Sequence, residues 1–154
     1  GGHEDRRLCG DPSRRGSLPW HGAPRDAGQC TLGRARAPSE EVASALDVTP
    51  TDVMGAAGYL LATSTNLGPM SGALKHAFDA TYDDALNVTR DRPYGVLVHG
   101  ESDTAGALLG IQTIATSLGW RAVAEPVSVV GSVRGRLDDC RELGTVVAAT
   151  TLGY

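Results

Sequence analysis

The sequence predicts an α/β domain built around a parallel sheet, and three observations carry that expectation. Two apolar runs, Tyr59–Ala62 and Tyr94–His99, have the length of buried strands. Each runs into a small polar loop, Thr63–Pro69 after the first and Gly100–Asp103 after the second. Beyond each loop the apolar residues recur at helical spacing: Leu74, Phe78 and Tyr82, then Leu108, Ile111, Ile114/Ala115 and Leu118. Strands alternating with helices of this length form βαβ units with right-handed crossovers.

Composition narrows the class further. The chain has 154 residues, enough for one domain with a single core, and a formal charge of -4. With 5% aromatic residues and no broad basic face, nothing marks a nucleic-acid partner. No apolar run approaches the roughly 20 residues of a membrane span, and no leader-like apolar stretch follows Gly1. Cys9, Cys30 and Cys140 are odd in number and scattered, which argues for a reducing, cytoplasmic setting rather than a disulfide framework. Cys9, His21 and Cys30 lack the paired short spacings of a zinc site, so no metal centre is expected.

Residues 1–41 contain no Val, Ile, Met, Phe or Tyr, yet hold seven of the thirteen arginines. Such a stretch cannot bury enough surface to offset backbone ordering of about 1–2 kcal/mol per residue. Its Arg/Gly/Pro-rich make-up is also what a GC-rich coding region yields out of frame. The expected division is therefore 1–40, poorly structured or out of frame, and 41–154, the folded domain. In the second part, Glu41–Val48 reads as a short strand. Thr49, Pro50 and Asp52 then mark a helix start, with a cap, a proline at the first position and an acid in the first turn. Gly55 and Gly58 keep that helix short. Asn87–Pro93 is a polar connection, and Asp103 or Ser102 can cap the helix that Gly119 ends. Arg121–Val130 is strand-like but broken at Pro126, the mark of an edge strand or a bulge. A last helix is expected over Leu137–Thr150, with Leu137, Cys140, Gly144 and Val147 on one side.

Parallel strands send their carboxyl ends to one edge of the sheet, so Thr63–Met70 and His99–Asp103 should face one crevice. The first of these loops resembles a known segment. Thr63, Gly68, Ser71, Gly72, Leu74, Lys75, Phe78 and Asp79 match the flavin-contacting loop and helix of the flavodoxin-like NAD(P)H-dependent FMN reductases and quinone reductases. Ser64 stands where that family has proline, and Ala80 where it has arginine. The second loop, Val98–Gly106, and the following Ile114–Trp120 are similar to the family as well, over a region from about Asp47 to Gly131.

The resemblance implies a flavodoxin-like three-layer sandwich with strand order 2-1-3-4-5 and FMN as cofactor. It implies NADPH or NADH as co-substrate, a quinone or free flavin as electron acceptor, and a homodimer or tetramer to which the Tyr82–Val88 region contributes. The implied flavin contacts are Thr63, Ser64, Thr65, Asn66, Leu67, Gly68, Met70, Ser71, His99, Gly100 and Glu101. Within them, the backbone of residues 65–68 runs along the ring, and Met70 and Ser71 lie near its pyrimidine end. The positive end of the helix dipole at Ser71–Gly72 suits an anionic reduced flavin. No catalytic acid or base is needed, because the isoalloxazine carries the electrons.

Other readings stand beside this one. A flavodoxin-type carrier would bind FMN without NAD(P)H turnover, and a module of the same fold could bind no flavin at all. Ser71 also reads as a helix cap and Asn66 as a turn residue, and His99 reads equally as a histidine satisfied by a nearby carbonyl. Lys75 and Asp79, four residues apart, form a helix-surface pair, and His76 is solvated. Gly100–Thr104 is a poor nucleophile elbow, and no histidine follows residue 99. The main departure is at the front: residues 1–41 hold neither a Val/Ile-rich first strand nor the hydroxyl-rich phosphate loop after it. The Tyr59 strand is thereby expected to keep an open edge prone to aggregation.

Overall fold

The computed structural model describes residues 31–36, 39–65 and 67–153; the expectations for residues 1–30, and for Asn66, fall outside them. Four strands and four helices supply most of the ordered core, and two short strands at one margin complete the sheet. The elements are β1 (Thr31–Arg36), β2 (Ser39–Ser44), α1 (Pro50–Gly55), β3 (Gly58–Ser64), α2 (Gly72–Ala85), β4 (Pro93–Gly100), α3 (Ala105–Ser117), β5 (Arg121–Ala122), β6 (Val127–Val130) and α4 (Leu137–Thr151). The sheet order is β2-β1-β3-β4-β5, with β6 also on β4.

β3 and β4 pair in parallel from Tyr59↔Tyr94 to Ser64↔His99. β5 and β6 both pair with β4 in parallel, and between them three steps on β4 (Tyr94 to Leu97) face five on the partner (Ala122 to Val127). The excess is a bulge holding Pro126, whose missing N–H rules out regular pairing there, as its place in the sequence indicated. Alternation along the strands sorts the two faces. Tyr59, Leu61, Tyr94, Val96 and Val98 meet α1, α2 and α3, while Ala62, Leu97, Val127 and Val129 meet α4 through Cys140 and Leu143.

The amino end of the chain departs from expectation. β1 lies against β3 and runs antiparallel to it, Thr31↔Ala62 through Ala35↔Gly58, while β2 pairs antiparallel with β1. The edge of β3 is therefore covered, contrary to the open edge expected for it, and strand structure begins upstream of residue 41. Thr31–Arg36 has little strand propensity of its own; a neighbouring strand's unpaired N–H and C=O groups supply the reason to extend.

The helices start and stop where their residues dictate. Thr49 and Asp52 form a capping box on α1: the Asp52 N–H donates to the Thr49 hydroxyl and the Thr49 N–H to the Asp52 carboxylate. Ser71 caps α2, accepting the Leu74 N–H. Lys75 and Asp79 are ion-paired, both exposed, so the pair adds at most a few tenths of a kcal/mol. Gly119 closes α3 at a φ of 72°.

At the amino edge of the parallel strands an aromatic group ties the layers together. Tyr59 and Trp120 stack with centroids 4.0 Å apart, and Phe78 and Tyr94 tilt against the same indole at 6.2 and 6.1 Å. The Trp120 Nε1–H donates to the Thr89 hydroxyl at 2.7 Å, which donates to the Ala85 carbonyl. Arg92 closes the end of α1: its Nη1 lies 3.0, 2.8 and 2.6 Å from the carbonyls of Val53, Met54 and Ala56. Burial also raises the Tyr59 and Tyr94 hydroxyl pKa values and pushes the Cys140 thiol up to about 11.

Two outcomes follow from these contacts. Arg92→Lys keeps one charge but loses the planar guanidinium whose Nη1 reaches the carbonyls at the end of α1 while Nη2 faces the Val88 carbonyl, and should cost about 1–3 kcal/mol in urea unfolding, with near-ultraviolet dichroism tracking the loosened Tyr59–Trp120 stack. An unchanged midpoint would remove Arg92 from this role. For Cys140 the folded pKa is raised, so its contribution is complete below the unfolded value near 9 and is lost as pH climbs toward 11. Tyr59 and Tyr94 act in the same direction. The urea midpoint should therefore fall between pH 7 and about 10.5, and fall less in Cys140→Ala.

Candidate functional site

The carboxyl ends of β3 and β4 lie side by side, and their two loops are joined directly. The Thr65 N–H donates to the His99 carbonyl at 2.7 Å, one step beyond the last register pair. From there the first loop leaves the sheet and returns, with Thr65 and Met70 bridged as an antiparallel pair. At its tip the backbone turns left-handed twice in succession, at Leu67 (φ 53°) and Gly68 (φ 104°). For leucine that conformation costs on the order of 1–3 kcal/mol, a cost that marks binding loops more often than connectors. Leu67 is fully exposed, and a Cβ built on Gly68 would meet nothing within 4 Å. The tip presents the Leu67 side chain and the Gly68 backbone to solvent.

Behind the tip, the loop is clamped. The Ser71 N–H donates to the Thr63 hydroxyl at 3.2 Å, which lies 3.2 Å from the Ser71 hydroxyl, and both residues are buried. On the other flank, the Gly68 carbonyl sits against Gly106 in the first turn of α3: a Cβ there would come within 2.4 Å of that oxygen. Gly110, one turn on, leaves room for the Met70 methyl group, which a Cβ would approach to 2.8 Å. Gly106 and Gly110 let the loop close onto α3, as only residues without a side chain can.

The second loop is held from the sheet margin. His99 is half-buried, and its Nε2–H donates to the Gly131 carbonyl at 2.7 Å. The Gly131 N–H returns a bond to the Gly100 carbonyl at 2.9 Å, and the Thr104 and Ser128 hydroxyls meet at 2.6 Å. The cap position of α3 falls to Thr104, without a side-chain cap bond, and not to Asp103 or Ser102 as expected; one residue earlier, the Asp103 carboxylate accepts the Ala105 N–H at 3.1 Å.

The residues expected at the site are thus brought to one edge but divide by role. Leu67 and Gly68 are exposed at the loop tip, while the Thr65 N–H is spent on the His99 carbonyl; Glu101 is exposed on the second loop. Thr63 and Ser71 spend their hydroxyls on each other and on the α2 cap, and the Met70 side chain is core. Ser64 ends β3 opposite His99, whose ring holds the β6 end, and Gly100 is buried at the close of β4. Sequence reasoning did not single out Thr65 for its hydroxyl, which is buried with no hydrogen-bond partner among the described residues. Nor did it find Gly106, although two glycines four residues apart on α3 were a readable sign of a close approach.

Known structures can be set against this geometry. No family model matches the chain, and no curated protein does. Solved structures do. A flavodoxin from the domain Archaea superposes with a TM-score of 0.59 at 15% identity, over 70% of this chain and 73% of that one. A flavodoxin, WrbA-like protein from Agrobacterium tumefaciens gives 0.58 at 17% identity, over 70% and 78%. The fold is flavodoxin-like. A cysteine-to-alanine mutant of flavodoxin from Pseudomonas aeruginosa gives 0.50 at 21% identity, over 64% and 70%.

A flavodoxin-like fold raises the question of FMN, and the two halves of that molecule fare differently. The ring half fits: a flat heterocycle can lie on the Gly68 backbone beside the exposed Leu67 side chain, in the loop that also buries the Thr65 hydroxyl without a partner among the described residues. For the phosphate half, the strand beside β3 runs antiparallel, so among the described residues β1 presents its first residues at this edge and not a turn into a helix. Among the described residues no three His, Cys, Asp or Glu side chains gather to hold a metal, and no helix is long and apolar enough to cross a membrane.

Gly106→Ala should force the Gly68 carbonyl away, since no Cβ tolerates 2.4 Å from a backbone oxygen. The expected loss is about 1–3 kcal/mol with faster amide exchange confined to residues 65–70. Gly72→Ala, whose Cβ meets nothing within 4 Å, is the control and should be neutral or slightly stabilising. Equal behaviour of the two variants would show that the loop is not set by α3.

Proposed function

We propose that this chain binds a flavin by its ring at the edge formed by the 63–71 and 99–104 loops, and that it works as an NAD(P)H oxidoreductase of the FMN- and quinone-reductase type. The observation that carries the reading is the strained, outward-facing backbone at Leu67 and Gly68, clamped by Thr63–Ser71 on one side and Gly106 on the other. A bound isoalloxazine accepts a hydride at N5 and passes it to an acceptor. The protein's share is to hold the ring flat, supply N–H and C=O partners to its edge, and leave one face open. The Thr65 hydroxyl is a further donor for that edge. Assembly as a homodimer or tetramer belongs to the same reading, with half-exposed Val88 at the end of the Tyr82–Val88 face.

Two of the matched structures are flavodoxins, which favours a second reading, an FMN-binding electron carrier with no NAD(P)H turnover. Steady-state NADPH and NADH oxidation with a quinone separates the two. Ring binding itself is read from quenching of flavin fluorescence. Gly68→Val places a β-branched residue at a φ of 104° where ring and backbone would meet, and should weaken flavin binding about tenfold or more with far-ultraviolet dichroism unchanged. Unaltered affinity in that variant would refute the loop assignment.

A further inference from the structure

Leu67 bears two costs at once. Three non-glycine positions among the described residues are left-handed: Leu67 (φ 53°), Asn87 (φ 67°) and Asp91 (φ 63°). Asn and Asp take that conformation readily, because a short polar side chain can bond to the backbone nearby. Leucine has no such compensation, and Asn or Gly would hold the same turn at lower cost. The Leu67 side chain is also 105% exposed, whereas the other exposed large apolar side chains lie between 46% and 67%. It belongs to neither apolar cluster of the core, so packing within the described residues offsets neither cost.

The stem keeps the tip from relaxing. Thr65 and Met70 pair across its base, the Thr63–Ser71 clamp lies behind them, and the Gly68 carbonyl rests on Gly106 of α3. A leucine is thereby carried into solvent at the edge where β3 and β4 end. An apolar side chain so placed gains when an apolar surface covers it, and the face of a flat heterocycle is such a surface. We propose that the Leu67 side chain packs on one face of the bound ring and is the specificity-determining contact of this loop, selecting a planar apolar ligand. This rests on the ring-binding reading above and narrows it, since the contacts expected of residues 65–68 were backbone alone. The contact is made to the ring, so it is independent of what the ribityl chain of a flavin carries.

Leu67→Asn is the test, because asparagine is close to leucine in size, accepts the left-handed backbone and removes the apolar surface. The full chain and the variant are titrated by flavin fluorescence quenching with lumiflavin, the ring without its side chain, and with FMN. Both dissociation constants should rise about tenfold and by the same factor, while the urea midpoint holds or rises. The visible absorption band of bound flavin, whose fine structure sharpens in apolar surroundings, should blur in the variant. Leu152→Asn removes a half-exposed leucine beyond α4, next to Thr151 at the opposite edge, and should leave both constants unchanged. Unchanged lumiflavin affinity in Leu67→Asn overturns the inference and leaves the ring site standing. So does a lowered urea midpoint, which would make Leu67 a part of the fold, or an equal loss in Leu152→Asn. Failure of both flavins to bind the unaltered chain overturns the ring site, and the inference with it.

Discussion

The parallel pairing of β3 with β4 is the constraint on which the rest depends. Parallel neighbours cannot be joined by a tight turn, so the chain must cross the sheet and return. α2 does this, about 21 Å long at 1.5 Å per residue, close to the length of the strands it spans. The return places the end of each strand beside the end of the other, and the Thr65 N–H bond to the His99 carbonyl is the first consequence. Shift β3 by one residue against β4 and Tyr59 and Leu61 would leave the α1–α3 face together while Val96 and Val98 stayed on it. Packing of the core and placement of the two loops are thus one condition.

The two ends of this sheet do different work. At the amino edge, stacked rings, the Trp120–Thr89–Ala85 chain and the Arg92 fork satisfy their polar atoms within the protein. Aromatic pairs of this kind add about 0.5–1.5 kcal/mol each beyond the area they bury. At the carboxyl edge the chain holds a left-handed leucine and a buried hydroxyl without a partner among the described residues. Each is a local loss, tolerable because the well-packed end supplies stability that the loops do not. The division is the physical form of a rigid scaffold carrying a reactive edge.

Much of this was legible in the residues. β3, β4, α2, α3 and α4 follow from apolar runs and helical spacing, and the Thr49–Pro50–Asp52 start, the Gly119 stop and the Pro126 break are each local chemistry. The parallel topology followed from alternation alone. What was hidden depends on partners distant in sequence. Thr31–Arg36 has one large apolar side chain and becomes a strand because β3 has an edge to fill. Arg92 lies in a polar connection whose residue types say only "turn", and its Nη1 acts on carbonyls 36 to 39 residues away. Met70 and Ser71 were placed near a ligand by resemblance. The structure spends the Met70 side chain on the core and the Ser71 hydroxyl on the α2 cap, because a buried loop stem must satisfy itself before it can serve anything else.

The antiparallel β1 shows why likeness of fold and likeness of site separate here. A strand on the edge of β3 satisfies the same N–H and C=O groups whichever way it runs, and an antiparallel ladder is the slightly more stable of the two. The core is therefore nearly indifferent to its direction. The ligand edge is not. A parallel strand would deliver a turn and a helix start to that edge, with free N–H groups and the positive end of a dipole; an antiparallel one delivers the beginning of a strand. A superposition that covers 70% of the chain at TM-scores of 0.59 and 0.58 registers the layers and the crossover, which are intact. It does not register which end of one strand faces that edge, and that direction decides whether a helix start follows β1 there. Chemistry on this scaffold has to be read from the edge, group by group, because the layers beneath would be the same in either case.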